Sequence, residues 1–357
     1  MSVEPSLSSV SSGSATPTKT SELTDTLARP LHDLRISVTD RCNFRCTYCM
    51  PRSLFGEPYR FLDREGLLQF SEIAHVTRIS AELGVRKVRL TGGEPLLRPA
   101  LEELVALLSA IPGIDDLALT TNGSLLTPEK ARLLREAGLR RVTISLDSLR
   151  DDVFQGINDV GFPVSRVLQA IDTAAEAGLP VKINMVVRRD LNDQDVLPMA
   201  RHFRGSGHVV RFIEYMDAGN LNGWREEQVV PAQEMLARIA EHWPLEPVDQ
   251  ARFGEVAKRY RYVDGQGEIG IIASITQPFC ESCTRARLSA DGRVFTCLFG
   301  TRNHDLRSLL RAGANDDALR SSLRLVWAAR GDQYSALRAT LPRSEGASKI
   351  EMYQIGG

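Results

Sequence analysis

The sequence predicts an α/β protein built on a parallel sheet, and two observations carry that prediction. From Leu34 onward one unit repeats: a short run rich in β-branched residues, a loop, and a helix-length amphipathic segment. The unit occurs six times before about residue 225, where its rhythm ends. Six β/α units in succession indicate parallel strands, arranged either as a partial barrel or as a doubly wound layer.

The six predicted strands are short, and turn residues separate them from the helical segments. Their ranges are LRISV (34–38), RKVRL (86–90), DLALT (116–120), RVTISL (141–146), VKINMVV (181–187) and VVRFIEY (209–215). Two helical segments have clear ends. Thr127 followed by Pro128 is typical of a helix start and Gly138 of its end, while Gly178 ends the segment that begins near Val164.

Beyond about residue 225 the pattern becomes mixed. A helix is predicted near 231–242, followed by strand-like RYRYV, IGIIAS, RARLS and RVFTC and then by charged helical segments. We therefore divide the chain into a tail over 1–28, the β/α units over 29–225, a smaller region over 226–345, and a C-terminal tail over 346–357.

Composition excludes several classes of protein. The 357 residues suffice for a large core, and 44 Lys and Arg against 45 Asp and Glu give a net charge of -1. Overall charge therefore gives no reason to expect a nucleic-acid or membrane-surface partner, and any anion site must be local. No apolar run approaches the roughly 20 residues that span a bilayer. We expect a soluble, cytoplasmic protein.

The first 28 residues are rich in Ser, Thr, Pro and Gly and poor in large apolar side chains, which predicts disorder. An organelle transit peptide is the alternative reading of this tail. Such peptides are rich in arginine and poor in acids, whereas this tail has no arginine before Arg29 and carries Glu4, Glu22 and Asp25.

The six cysteines form two groups of three, and a long chain without a signal peptide uses such groups for metals or catalysis more often than for disulfides. Cys42, Cys46 and Cys49, the first triplet, follow the first predicted strand on one loop. Thiolates suit iron–sulfur clusters or zinc, but a structural zinc site needs a fourth ligand, which this loop lacks. Three cysteines on a four-iron cluster would leave one iron open for chemistry. A zinc site or a redox thiol is the alternative.

A second element, Gly92-Gly93-Glu94-Pro95, follows the second predicted strand. Paired glycines let a backbone approach a ligand closely, and Glu94 offers an acceptor for an ammonium group. Taken alone the element is an ordinary strand-to-helix turn. Together with the cysteine loop it indicates a ligand site.

Cys280, Cys283 and Cys297 form the second triplet. A zinc ribbon would need a second CxxC pair, and the nearest candidate for a fourth ligand is His304. We interpret this triplet as the site of a second cluster that leaves one iron open for a substrate.

The CxxxCxxC loop and the GGEP element resemble the signature of the radical S-adenosylmethionine superfamily. Over residues 29–357 the chain resembles the molybdenum-cofactor biosynthesis protein A family, the GTP 3′,8-cyclases. The resemblance rests on LRISVTDRCNFRCTYCMP, KVRLTGGEPLLR, LTTNG, ISLDS, TRARLSADG within the second triplet, DLRSLLRAG and the terminal IGG. It implies a partial (β/α)6 TIM-type barrel with the first [4Fe–4S] cluster and a smaller C-terminal α+β region with a second one. The segment PRSLFGEPYRFLDREG after Met50 is longer than in the family.

The resemblance also implies the reaction, which is that of a lyase. Reductive cleavage of S-adenosylmethionine gives a 5′-deoxyadenosyl radical that abstracts hydrogen from ribose C3′ of GTP, and the C3′ radical attacks guanine C8. Reduction of the resulting nucleotide radical then yields 3′,8-cyclo-7,8-dihydro-GTP, which passes to cyclic pyranopterin monophosphate synthase. The electron would come from a donor such as a flavodoxin or ferredoxin, and a homodimer is compatible with the family.

Site residues follow from the family by motif position. S-adenosylmethionine would contact Tyr48, Gly93, Glu94, Ser145 and Met216. GTP would contact Arg35, Arg89, Thr121, Lys182, Arg285, Ala286 and Arg287. Arg35, Arg285 and Arg287, together with the terminal Gly356 and Gly357, would support catalysis. The six cysteines would hold the two clusters.

The basic residues in this set suit a triphosphate. Arginine binds phosphate oxygens in pairs, whereas lysine acts as a point charge. Arg35, Arg89, Thr121 and Lys182 lie on or just after separate predicted strands, so a barrel would bring them to one mouth. Arg285 and Arg287 alternate along a strand and would share one face. For any single arginine, a surface ion pair is the alternative.

Two other functions stay open at this point. A radical enzyme that modifies peptides through an auxiliary cluster usually carries more than three C-terminal cysteines. A non-enzymatic zinc-binding interaction protein would contain zinc rather than iron and would be colourless.

Overall fold

A continuous sheet of twelve strands organises the computed structural model, which describes residues 22–56, 59–220, 222–338, 340 and 349–356. The strands are β1 (Asp33–Ser37), β2 (Lys87–Thr91), β3 (Asp116–Thr121), β4 (Arg141–Ser145), β5 (Val181–Val187), β6 (Val209–Glu214), β7 (Leu245–Val248), β8 (Lys258–Tyr262), β9 (Glu268–Ile272), β10 (Arg285–Leu288), β11 (Arg293–Phe295) and β12 (His304–Asp305). The order across the sheet is β12-β11-β10-β1-β2-β3-β4-β5-β6-β9-β8-β7.

Helices connect and cover these strands. They are α1 (Arg52–Phe55), α2 (Phe70–Glu82), α3 (Leu101–Ser109), α4 (Pro128–Glu136), α5 (Asp151–Asn158), α6 (Val164–Glu176), α7 (Val196–Phe203), α8 (Ala232–Ala240), α9 (Leu306–Arg311), α10 (Asp316–Ala328), α11 (Tyr334–Leu337) and α12 (Met352–Ile355). The longer helices place an apolar face on the sheet, as in α3, where Leu101, Leu104, Val105 and Leu108 are buried. None of the helices that the structure describes is long and apolar enough to cross a membrane.

Strands β1 to β6 run parallel, and each pairs with the next along the chain. All six predicted strands are confirmed to within about one residue at either end. The predicted ends of α4 are confirmed as well, because Thr127 accepts a hydrogen bond from the Lys130 N–H and Pro128 begins the helix. The chain therefore has the α/β partial-barrel fold that its sequence predicts.

The C-terminal strands extend this parallel sheet at both edges. Strand β10 pairs in parallel with β1, and β9 pairs in parallel with β6. Antiparallel β11 and β12 then continue one edge, while β8 and β7 continue the other. As a result, Arg285 and Arg287 of β10 stand next to Asp33 and Arg35 of β1. The division at residue 225 stays a prediction, since the later strands share the sheet of the earlier ones.

The predicted disordered tail, residues 1–28, is wrong for its last residues, 22–28, which are ordered in the structure. Residues 1–21 lie outside the described ranges, but Leu23 and Asp25 are buried, and Thr24 forms a β-bridge with Pro30. The physical reason lies far away in the sequence: the Asp25 carboxylate pairs with two buried arginines, Arg29 and Arg330. Local composition could not show this long-range contact.

Candidate active site

One large cavity of about 560 Å³ lies inside the barrel, and all six cysteines line it. It also contains most of the predicted contacts: Arg35, Tyr48, Arg89, Gly93, Glu94, Thr121, Ser145, Lys182, Met216, Arg285 and Arg287. Two predicted residues, Ala286 and Gly356, are not part of its lining, and Gly357 lies outside the described residues. The barrel thus brings together two cysteine groups that are more than two hundred residues apart in the chain.

The first triplet occupies the loop that leaves the carboxyl end of β1. The backbone N–H groups of Cys49 and Met50 both donate to the Cys46 carbonyl, which turns the loop tightly. The Arg45 guanidinium donates to the carbonyls of Cys42 and Phe44 at 2.7 and 2.8 Å. Local hydrogen bonds therefore fix the three thiols on one side of the loop, where they line the cavity.

Burial makes these thiols poor acids on their own. It raises the pKa of Cys42 to about 12, with a further contribution from Glu94, and it raises the pKa of Cys46 and Cys49 as well. A bound cation would favour the thiolate forms. Among the described residues no three His, Cys, Asp or Glu side chains are arranged to hold a single metal ion. A four-iron cluster instead takes one thiolate on each of three irons.

The paired glycines line the cavity and also make a close backbone contact that the sequence analysis did not predict. Gly92 has a φ of +148°, and a Cβ on it would lie 2.5 Å from the Thr39 carbonyl oxygen. A Cβ on Gly93 would lie 2.2 Å from the Arg41 carbonyl oxygen. Both glycines therefore admit the backbone of the cysteine loop itself, and hydrogen bonds from Gly93 and Glu94 N–H groups join the two loops.

Glu94 is fully buried and holds two strand ends together. It accepts hydrogen bonds from the Thr121 hydroxyl at 2.7 Å, the Asn122 N–H at 2.7 Å and the Leu96 N–H at 3.0 Å. Burial raises its pKa to about 7, although these hydrogen bonds lower it. Thr121 therefore lies beside Glu94 at the carboxyl end of β3.

The remaining predicted contacts of S-adenosylmethionine lie at the same carboxyl end of the barrel. Ser145 ends β4, and Met216 follows β6 by two residues. The Tyr48 hydroxyl donates to Asp147 at 2.8 Å. Burial raises the pKa of Asp147 to about 6. Asp147 also lines the cavity and was not predicted as a site residue.

The second triplet lies against the β10 arginines. Arg285 donates to the Cys283 sulfur at 3.2 Å, and this charge, together with those of Arg330 and Arg287, outweighs burial and lowers the pKa of Cys283 to about 6. Ala286 points the other way and belongs to the apolar core. His304 lies exposed in β12 and does not line the cavity.

A basic cluster fills the middle of the cavity. Arg35, Arg89 and Lys182 were predicted to belong to it, and the structure adds Lys87, Arg141 and Arg211. Burial, reinforced by neighbouring arginine charges, lowers the pKa of Arg89 and Arg211 to about 9 and that of Lys182 to about 8. Thr121 lines the same cavity, where its hydroxyl donates to Glu94, and its contact with GTP stays a prediction.

Several N–H groups of the basic cluster and of the adjacent β10 arginines have no partner in the described part of the chain. They are Arg89 Nε, Arg211 Nε, Arg285 Nε and Nη1, and Arg287 Nε. A buried donor without an acceptor costs about 1–3 kcal/mol, and more when it is charged. These donors therefore fit an anionic ligand or an anionic cluster.

Lys87, Arg141 and Arg211 could have been found from the sequence. Each lies in a predicted strand or at its start, among apolar residues that are buried. A basic side chain at such a position must face either a cavity or a counter-ion. Lys87 and Arg141 face the cavity and also have counter-ions, because Lys87 pairs with Asp33 and Arg141 pairs with Asp116.

The C-terminal tail reaches the cavity from the side of β1. Helix α12 packs against β1, and Met352 and Tyr353 line the cavity. The Tyr353 hydroxyl lies 2.6 Å from the Tyr59 hydroxyl. Gly356, with φ +66°, lies so close to Thr91 that a Cβ would approach its Cγ2 to 1.9 Å. Only the part of the tail up to Gly356 is described.

Comparison with known families and structures agrees with this arrangement. Residues 36–203 match the model of the radical SAM superfamily, and residues 208–336 match the model called Molybdenum Cofactor Synthesis C. The structure of Streptococcus suis SuiB bound to S-adenosylmethionine has a TM-score of 0.61 at 13% identity, over 92% of this chain and 78% of that one. The likeness to SuiB shows a shared fold, and the family model places this chain in the radical S-adenosylmethionine superfamily, a class that uses S-adenosylmethionine and an iron–sulfur cluster.

Curated relatives narrow the class. The GTP 3′,8-cyclase of Acidothermus cellulolyticus is 56% identical over 95% of this chain and 100% of the relative. The GTP 3′,8-cyclase of Staphylococcus epidermidis is 47% identical over 93% of this chain and 98% of the relative. The chain belongs to the GTP 3′,8-cyclase family.

Proposed function

We propose that this chain is a GTP 3′,8-cyclase, a lyase that catalyses the first step of molybdenum cofactor biosynthesis and holds two [4Fe–4S] clusters. The observation that carries the proposal is the shared cavity, in which two cysteine triplets flank a buried basic cluster. A radical generator needs only one triplet. The second triplet and the arginines beside it fit a substrate that is both polyanionic and able to bind iron.

The three cysteines of each triplet would hold one cluster. When bound, the cluster at the first triplet supplies the electron for reductive cleavage of S-adenosylmethionine. Around it, Tyr48, Ser145 and Met216 line the carboxyl end of the cavity, where an adenosyl group would be held away from bulk water. Glu94 offers a buried carboxylate for the amino group of the methionine part.

GTP would lie between the triplets. Arg35, Arg89, Lys182 and Arg211 would bind its phosphates, with charge-assisted hydrogen bonds from the unpartnered guanidinium N–H groups. Arg285 and Arg287 lie between the phosphate region and Cys283, and would orient the nucleotide so that its base meets the second triplet. Fixing both ends of GTP holds the ribose in one position for hydrogen abstraction.

Anaerobic reconstitution tests the two-cluster proposal. The intact chain should bind about eight irons, and a variant with Cys280, Cys283 and Cys297 changed to Ala should bind about four. Dithionite and S-adenosylmethionine should then give 5′-deoxyadenosine with the intact chain only when GTP is present. Equal 5′-deoxyadenosine without GTP, or four irons in the intact chain, would contradict the proposal and favour a peptide-modifying enzyme.

From the family resemblance we also propose a cytoplasmic location, a flavodoxin or ferredoxin as electron donor, delivery of the product to cyclic pyranopterin monophosphate synthase, and a homodimer. Size-exclusion chromatography with light scattering tests the last of these.

A further inference from the structure

A buried group of three charged residues, Asp25, Arg29 and Arg330, lies directly behind the second triplet. Asp25 Oδ2 accepts from Arg29 Nε at 2.7 Å and from Arg330 Nη1 at 3.0 Å. All three side chains are at most 1% exposed. Asp25 Oδ1 also accepts from the backbone N–H groups of Leu27 and Arg29. This ionic group is therefore fully buried, and one carboxylate balances two guanidinium groups.

The two arginines hold the backbone at Cys280, at Cys283 and at the residue before Cys297. Arg29 Nη1 donates to the Cys280 carbonyl at 2.7 Å. Arg330 Nη1 donates to the Cys283 carbonyl at 2.7 Å, and Arg330 Nε donates to the carbonyl of Thr296, the neighbour of Cys297, at 3.1 Å. Two segments of the second triplet, residues 280–283 and Thr296 beside Cys297, are thus fixed to one ionic group.

Further hydrogen bonds hold the N-terminal residues 25–30 against the segment from Trp327 to Asp332. The Trp327 indole donates to the Arg29 carbonyl at 3.0 Å, and the Thr26 hydroxyl donates to the Arg330 carbonyl at 2.7 Å. Arg29 Nη1 also donates to the Asp332 carbonyl at 2.9 Å. Residues 25–30 therefore take part in positioning the second triplet, although they precede it by about 250 residues.

We infer that Asp25, Arg29 and Arg330 are positioning residues that set the spacing of the three thiols for the second cluster. The inference rests on the proposed function, because it requires that the second triplet holds a cluster. Loss of the Asp25 charge would remove the carboxylate that Arg29 and Arg330 share and would leave Arg330 only the more distant carboxylate of Asp332, at 3.6 Å. The two guanidinium groups would then repel each other, separate and draw the cysteine segments apart. The first triplet has no contact with this group and should be unaffected.

The test uses the full chain in two backgrounds. In the first, Cys42, Cys46 and Cys49 are changed to Ala, so that only the second triplet remains. In the other, Cys280, Cys283 and Cys297 are changed to Ala. Asp25→Asn is introduced into each, and iron per chain and the electron paramagnetic resonance of the reduced cluster are measured after anaerobic reconstitution. Asp195→Asn is the control, because Asp195 is also buried and paired with an arginine, the half-exposed Arg150, but neither residue lines the cavity that contains the two triplets.

In the first background Asp25→Asn should lower the iron from about four per chain to below two and change the resonance spectrum. In the second background it should leave about four irons, and Asp195→Asn should change neither. In iron-free protein, Asp25→Asn should also speed the alkylation of Cys280, Cys283 and Cys297 relative to the other three cysteines. Equal iron loss in both backgrounds, or none in the first, would overturn the inference.

If Asp25→Asn does not fold, two further variants test the positioning role of this ionic group. Arg29→Lys and Arg330→Lys keep the positive charge beside Asp25 but remove the second donor that reaches the cysteine backbone. Both should lose iron selectively from the second triplet, and unchanged iron in both would overturn the inference. If the first background itself holds no cluster before Asp25 is changed, the proposed function fails instead.

Discussion

Glu94 is a buried acid whose ionisation affects folding. Burial raises its pKa to about 7 from the usual 4.5. Between these two values the folded protein binds more protons than the unfolded chain, so the free energy of unfolding must fall as the pH rises through this window. The shift corresponds to about 3 kcal/mol at most.

Urea unfolding at pH 5 and at pH 8 measures this effect. Wild-type protein should lose stability on going to pH 8, and Glu94→Gln should lose less, because glutamine does not ionise. The variant should be less stable overall, since an amide nitrogen cannot accept the hydrogen bond from Asn122 N–H. Asp147 contributes a similar loss in both proteins, so their difference isolates Glu94. Parallel losses in the two proteins would contradict this account.

Replacing Arg211 tests whether the basic cluster binds the phosphates of GTP. It is buried on β6, its Nε has no partner among the described residues, and neighbouring arginines repel it. Arg211→Met keeps the volume and removes the charge. GTP affinity should fall about 10- to 100-fold, as expected for one charge-assisted hydrogen bond. The melting temperature without ligand should stay the same or rise, because repulsion is relieved.

Isothermal titration calorimetry with GTP measures the affinity, and thermal denaturation without ligand measures the melting temperature. Arg132→Met is the control, since Arg132 is exposed and, among the residues that the structure describes, pairs only with Glu136 on the surface of α4. It should change neither quantity. A drop in melting temperature that matched the loss of affinity in Arg211→Met would mean that Arg211 supports the fold rather than the ligand.

At the scale of elements, glycine allows the loop after β2 to pack closely on the loop after β1. The GGEP loop after β2 packs on the cysteine loop after β1 so closely that a Cβ on Gly93 would overlap the Arg41 carbonyl. Gly93→Ala should therefore push the loops apart, destabilise the protein by about 1–3 kcal/mol and weaken iron binding at the first triplet. Gly156→Ala is the control, because Gly156 lies within α5 with no heavy atom near its would-be Cβ.

Iron content in the background without the second triplet and chemical denaturation check this prediction. Gly156→Ala should leave the iron at about four per chain and raise stability by about 0.5–1 kcal/mol, as expected for alanine in a helix. Full iron binding by Gly93→Ala would show that the two loops do not depend on each other.

At the scale of the whole molecule, the cavity concentrates positive charge that the folded protein must tolerate without a ligand. Polyanions should relieve this repulsion, so the melting temperature should rise in the order guanosine, GMP, GDP, GTP, and the differences should shrink at high salt. Thermal melting in each ligand at two salt concentrations measures the series. Equal effects of guanosine and GTP would show that the cluster does not bind phosphate.

The sequence predicted the elements well because they depend on local patterns. The strand from Val181 to Val187 could be recognised from β-branched residues and the end of α4 from a glycine. The two cysteine triplets were recognisable for a similar reason, since each triplet spans few residues. By contrast, residues 22–28 were assigned to a disordered tail because Asp25 is held only by residues that no local window contains, notably Arg330.

The sequence by itself determined the class of this protein: the β/α rhythm, the three thiols of each triplet, and the family motifs all lie within short stretches. Only the tertiary structure decided how they combine. It paired β10 with β1 and β9 with β6, so that one sheet surrounds both triplets, and it showed that Gly92 and Gly93 admit a neighbouring loop. Strand pairing and burial join residues that are distant in the chain, and a sequence pattern carries no record of such distances.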